Sequence, residues 1–174
     1  MLNVIETNRH PIRVEALTAA AFAPFGDVIA VGDAARQFSI NEGFATRFHD
    51  LAHIDVLDQG GRPILNIFRA TPRVLPMQLR VMERHPLGSQ AFMPLSSTPY
   101  LVVVAPASPT LVPEQIRCFL AQAGQGVNYA KGTWHHPLIA TERASDFLVV
   151  DRGGRAEDHN LDEVDVLALG YWIG

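Results

Sequence analysis

The chain has 174 residues, 48% of them hydrophobic and 18% charged, with a formal net charge of −4. That is enough apolar material for one domain, residues 1–174, with a real core. The acidic balance and the lack of any basic stripe exclude nucleic acid as the main partner. A small anionic substrate stays open, because one local arginine can override net charge.

Residues 1–6, Met-Leu-Asn-Val-Ile-Glu, carry no basic segment followed by an apolar one, so no signal peptide is expected. Thr18 is placed to cap a short helix over 19–23, which Pro24 and Gly26 stop. Strand signals follow at 28–31, 64–70, 77–85, 90–95, 100–106, 116–122, 138–141 and 146–151. These runs are short, aliphatic or aromatic, and bounded by Pro, Gly, Ser or Asn. The 13 glycines and 12 prolines punctuate them. The longest apolar run, 101–107, is too short to cross a membrane. Cys118, the only cysteine, sits in an apolar run and reads as a buried small hydrophobe in a reducing compartment. A cytoplasmic protein with no membrane partner follows. Asn160 is placed to cap a C-terminal helix through Val166, and residues 169–174 have no assignable pattern. The spacing of the strands predicts an all-β, mainly antiparallel sandwich or barrel with a few short peripheral helices.

The chemistry concentrates in two stretches. In an extended strand alternate side chains share a face, so Glu83 and His85 point the same way. A turn at 86–89 leads into Gln90, which can meet them at the mouth of a barrel; the alternative is a surface turn with His85 half exposed. All three offer a metal an oxygen or a nitrogen. The second stretch, "GQGVNYAKGTWHHPL" at 124–138, holds two adjacent histidines. Gly124-x5-Ala130-x-Gly132-x2-His135 has the spacing of the second cupin motif, and Glu83-x-His85-x4-Gln90 that of the first. In a cupin jelly-roll barrel these positions converge on one metal. Here they supply Glu83, His85, Gln90 and His135, where three histidines and a carboxylate are usual. His136 is expected on the face opposite to His135.

The runs "ERHPLGSQAF" (83–92), "GQGVNYAKGTWHHPL" (124–138), "DFLVVDRGG" (146–154) and "RFHDLA" (47–52) resemble the ureidoglycolate lyase family over residues 16–154. The resemblance implies a carbon–nitrogen lyase of allantoin breakdown that splits ureidoglycolate into glyoxylate and urea. It also implies a homodimer with a cupin-like barrel and a divalent metal, with nickel suggested. No nucleotide or organic cofactor is expected, since no dinucleotide fingerprint, phosphate-cradling loop or nucleophile elbow is present. His85, His135 and Lys131 are candidates for proton transfer, and Arg69, Tyr129, Gln90 and Arg47 for substrate binding. Arg69, among apolar neighbours in 64–70, reads as an inward anion clamp or a buried ion pair. Lys131 can point inward or to solvent. His49 and His53 have helical metal-pair spacing but lie in a surface-leaning segment. The rival readings are a non-catalytic small-molecule-binding cupin and a metal-dependent cupin dioxygenase or isomerase.

Overall fold

The run Tyr100–Ala105 has no charged or hydroxyl-rich face, and every residue in it is buried. A strand apolar on both sides needs a layer on each face. It pairs antiparallel with Arg117–Ala121 along one edge and with Trp134–His135 and Ile139–Ala140 along the other. From there the sheet extends to Val81–Arg84 and Asp162–Asp165 on one side and to Val14–Ala16 on the other. A five-stranded sheet runs in the order Gly26–Ile29, Gly126–Tyr129, Gln90–Pro94, Ser145–Gly153, Arg62–Ala70. These relations come from a computed structural model that describes residues 9–174, so the expectation for residues 1–6 lies outside the described residues.

The two large sheets face each other over one apolar cluster. Phe92, Val127, Tyr129, Phe147 and Val149 come from the five-stranded sheet, and Tyr100, Val102, Val104 and Phe119 from the larger one. Phe22 and Phe25 close one end of this cluster. A second cluster, with Leu79, Met82, Leu101, Val103, Cys118, Trp134 and Ile173, fills the other face of the larger sheet. A small sheet of His10–Pro11, Tyr171–Ile173 and Met77–Gln78 covers it. The expected all-β, mainly antiparallel fold is present and is consistent with a cupin-like barrel, although the two sheets are not joined into a closed one. Cys118 is buried as expected, and burial raises its thiol pKa to about 12, which removes it as a nucleophile.

Most strands fall where the sequence places them, and the helix does too. Ala19–Phe22 forms the helix, and Thr18 Oγ1 accepts the Ala21 N–H at 3.2 Å. Two expectations need correction. The run 77–85 is not one strand: Met77–Gln78 and Val81–Arg84 belong to different sheets. The segment after Asn160 is not a helix; Asp162–Asp165 pairs antiparallel with Val81–Arg84. Asn160 Oδ1 accepts the Leu87 N–H at 2.8 Å and so caps no helix. An open strand edge pairs the backbone groups of this short segment that face it, whereas a helix of two turns is marginal by itself. A hairpin of Arg36–Ile40 and Ala45–His49 also stands where only a surface-leaning segment was expected. Its turn uses Asn41 and Glu42 at positive φ rather than the usual Asn-Gly signal.

Candidate functional site

Strand register builds the site. His135 lies directly opposite Glu83 across an antiparallel pair, and Gln90 opposite Tyr129. Side chains on opposed residues share a face. Glu83, Gln90, Tyr129 and His135 therefore line one cavity of about 570 Å³ between the sheets. Phe68, Phe92, Arg73, His136 and Leu138 complete its walls. His85, two residues on from Glu83, brings its ring centroid to 5.3 Å from that of His135. Tyr129 stacks on His135 at 4.3 Å. Burial and the nearby carboxylate of Glu83 raise the Tyr129 hydroxyl well above its ordinary pKa, so it stays neutral.

The tautomers of the histidines follow from their partners. His135 Nδ1 lies 3.0 Å from the Thr133 carbonyl, His85 Nδ1 2.8 Å from that of Asn160, and His136 Nδ1 2.7 Å from that of Pro137. A carbonyl only accepts, so each Nδ1 carries the proton and each neutral ring keeps its lone pair on Nε2. Burial lowers the pKa of His85 and His136, with the charge of His135 adding to the effect at His85. Both rings are accordingly neutral near pH 7. The Nε2 atoms of His85 and His135 are buried and have no hydrogen-bond partner among the described residues.

Gln90 is fixed in the same way. Its Nε2 donates to Asp151 Oδ1 at 2.7 Å, and Asn66 Nδ2 holds the other oxygen of Asp151 at 3.0 Å. The amide can satisfy Asp151 only with its nitrogen on that side. Gln90 Oε1 is left buried and without a partner.

These orientations fit a divalent metal. One ligand atom from each of Glu83, His85 and His135 lies within 4.8 Å of the others. His135 Nε2 stands 3.4 Å from Glu83 Oε1. With Nδ1 already protonated, a neutral His135 sets a lone pair against a carboxylate oxygen. A proton or a cation between them resolves that conflict. Each ring also has the backbone-anchored Nδ1–H that metal-binding histidines typically show.

Three candidates from the sequence have their charges engaged away from the imidazoles. Arg69 is not an inward clamp or a buried pair. Its side chain is 75% exposed at the rim, and Asp146 holds it through two hydrogen bonds of 2.7 and 2.8 Å. Arg69 shares the outer face of the edge strand Arg62–Ala70 with Leu65 and Ile67 and reaches only the cavity rim, whereas Phe68 forms part of the wall. Lys131 points away from the cavity and is neutralised by Asp58 at 2.6 Å and Asp55 at 3.0 Å. Arg47 lies on the hairpin, over the ring of Phe38. His49 packs edge-on against that same ring and does not meet His53 at a common site.

His136 departs from expectation in the other direction. The strand Trp134–His135 ends after two residues, and Pro137 follows. Alternation stops there, so His136 turns into the same cavity as His135. Asn160 was also missed as a site residue, although its carbonyl sets the tautomer of His85. No spacing rule connects residues 85 and 160; only the pairing of the strands near them does.

Residues 9–170 match the family model described as ureidoglycolate lyase. Curated relatives named ureidoglycolate lyase cover nearly the whole chain. One from Burkholderia mallei is 59% identical over 93% of this chain and 92% of its own. One from Burkholderia cepacia is 57% identical over 88% and 85%, and one from Pseudomonas entomophila 45% over 91% and 96%. With Glu83, Gln90 and His135 at one cavity, His85 beside them, and all four inside the matched span, the chain belongs to the ureidoglycolate lyase family.

Proposed function

We propose that this protein splits ureidoglycolate into glyoxylate and urea, the activity that names its relatives, as a step of allantoin degradation. The observation that carries the site assignment is the set of buried acceptors without a hydrogen-bond partner, His135 Nε2 and Gln90 Oε1 at the cavity that Glu83 lines and His85 Nε2 within ligand distance of Glu83 and His135.

The reaction is an elimination. The carbinol hydroxyl loses a proton, the C–N bond breaks as the C=O forms, and the urea nitrogen gains a proton. No water is consumed. Glu83, His85, His135 and Gln90 would hold a divalent metal, nickel on the family resemblance, and when bound it supplies the positive charge that makes a hydroxyl more acidic. Proton movement falls to an imidazole outside that set. His136 is neutral, its Nδ1–H is held by Pro137, and it lines the cavity. Its Nε2 is able to take the hydroxyl proton and return it to the departing urea nitrogen. Phe68, Phe92 and Leu138 supply the apolar part of the cavity wall.

The protein is proposed to act in the cytoplasm as a homodimer. Among the described residues no helix is long and apolar enough to cross a membrane.

The test is a product assay on racemic ureidoglycolate. The wild-type protein should release urea and glyoxylate in equal amounts, and His135→Ala should lose at least about a hundredfold in rate. Urea release by His135→Ala at the wild-type rate would remove the site assignment. Activity that survives complete chelation would remove the metal and leave proton transfer by the same imidazoles.

A further inference from the structure

An α-hydroxy carboxylate brings a negative charge into the cavity, and most of the nearby cations are already committed. Arg69 is bound to Asp146, and Lys131 to Asp55 and Asp58. Arg152 is buried against Asp158 and the Asp58 carbonyl. Arg84 pairs with Asp162 and lies over Trp134, on the far face of the sheet. Arg73 is different. It lines the cavity and also an adjoining groove shared with His136. Its charge reaches the His136 ring. Among the described residues its guanidinium takes part in no ion pair, hydrogen bond or aromatic contact.

The backbone beneath Arg73 is fixed even though its side chain is not. The Arg73 N–H donates to the Ala140 carbonyl at 2.9 Å, and Pro72 bridges to the same residue. Ala140 is itself in the ladder of the central strand. An unpaired guanidinium is thus carried on a rigid support beside the imidazoles, with its donor fork uncommitted. A planar fork of this kind matches a carboxylate through two parallel hydrogen bonds.

We propose that Arg73 is the specificity-determining residue that takes the substrate's carboxylate and so restricts the site to anionic carbinol-ureas. The proposal rests on the ureidoglycolate lyase reading. The carboxylate end is held at the mouth by Arg73, and the carbinol end is left for the imidazole cluster.

The experiment compares the two products as inhibitors, because glyoxylate carries the carboxylate and urea carries no charge. In Arg73→Ala the KM for ureidoglycolate should rise and inhibition by glyoxylate should weaken, each about ten- to a hundredfold, the usual weight of a hydrogen-bonded charge pair. Inhibition by urea should stay within about twofold. Arg73→Lys should recover part of the glyoxylate inhibition. Arg36→Ala, which removes a cation on the hairpin over Phe38 and away from the cavity, should match wild type. Unchanged KM and glyoxylate inhibition in Arg73→Ala, with an active wild type, would overturn the role of Arg73 and leave the lyase reading standing. Equal weakening by urea and glyoxylate would overturn it as well, since that marks a general collapse of the pocket. A wild type that releases no urea would remove the lyase reading itself, and this proposal with it.

Discussion

Glu83 is the only carboxylate in the metal-competent group, and two opposed effects set its acidity. Burial pushes its pKa up. The imidazoles around it, His135 first and then His85 and His136, pull it down when they take up protons, and the net result lies below the ordinary value. It is therefore ionised and can contribute a full negative charge to a cation. Glu83→Gln keeps the size and offers His135 Nε2 an N–H, so the fold should survive while the charge is lost. We expect metal retention to fall at least about tenfold, with the melting temperature unchanged or raised. Elemental analysis and thermal unfolding check both; undiminished metal content would show that Glu83 is not a ligand. Glu83, His85 and His135 were legible in the sequence because period-two alternation holds where they sit. His136 was misread because alternation was carried past the point where Pro137 ends the strand. Arg73 was passed over because it lies in a loop with no period, and an unpaired arginine becomes visible only once its neighbours are known to be paired.

At the level of elements, the segment after Gly153 turns out to brace the site. Asp158 meets the buried Arg152 at 2.8 Å, and Arg152 also donates twice to the Asp58 carbonyl. A side chain on Gly61 or Gly154 would collide with the Arg152 guanidinium, so both must be glycine for this close approach. Two residues beyond Asp158, Asn160 binds His85 and Leu87, and then Asp162–Asp165 joins the strand that carries Glu83. The Arg152 hydrogen bond holds the Asp158 carboxyl below its ordinary 3.8. A lowered carboxyl pKa stabilises the fold above the unfolded value, and that contribution is lost as pH falls through the folded value. Asp158→Asn should thus be less stable than wild type by an amount that is constant above about pH 5 and shrinks below 3.8. Denaturant unfolding across that range is the measurement; a gap that does not change with pH would contradict the ion pair. Central strands were legible because apolar runs bounded by turn residues mark them. The edge strands Val14–Ala16 and Asp162–Asp165 were not, because exposed edges carry no such run.

For the whole molecule, the open question is which surface a second copy would cover. Arg62–Ala70 is the last strand of its sheet and pairs only with Ser145–Gly153. It is nine residues long, and its outer face carries Leu65, 67% exposed, and Ile67, 56% exposed. A long, apolar, unpaired edge invites pairing with another strand. The proposed dimer would use this face, burying about 800 Å² per copy if it is of standard size. Replacing both Leu65 and Ile67 with Asp should yield monomers in light scattering after size-exclusion chromatography, with wild type dimeric at the same concentration. A doubly substituted protein that stays dimeric would move the interface elsewhere. Because Phe68 on that strand lines the cavity, the loss of dimers should also raise KM modestly.

The tie between Asn160 and His85 sets an order of events during synthesis. A ribosome delivers Glu83, His85 and Gln90 first and His135 some fifty residues later. Both large sheets can start to assemble at that stage. The carbonyl that commits the His85 proton to Nδ1 arrives only with residue 160, and the strand that flanks Glu83 follows it. Until then the His85 ring lacks the carbonyl that fixes its tautomer. The metal-competent group of Glu83, His85 and His135 is in this way complete in its native orientation only once residue 160 and the strand after it are in place.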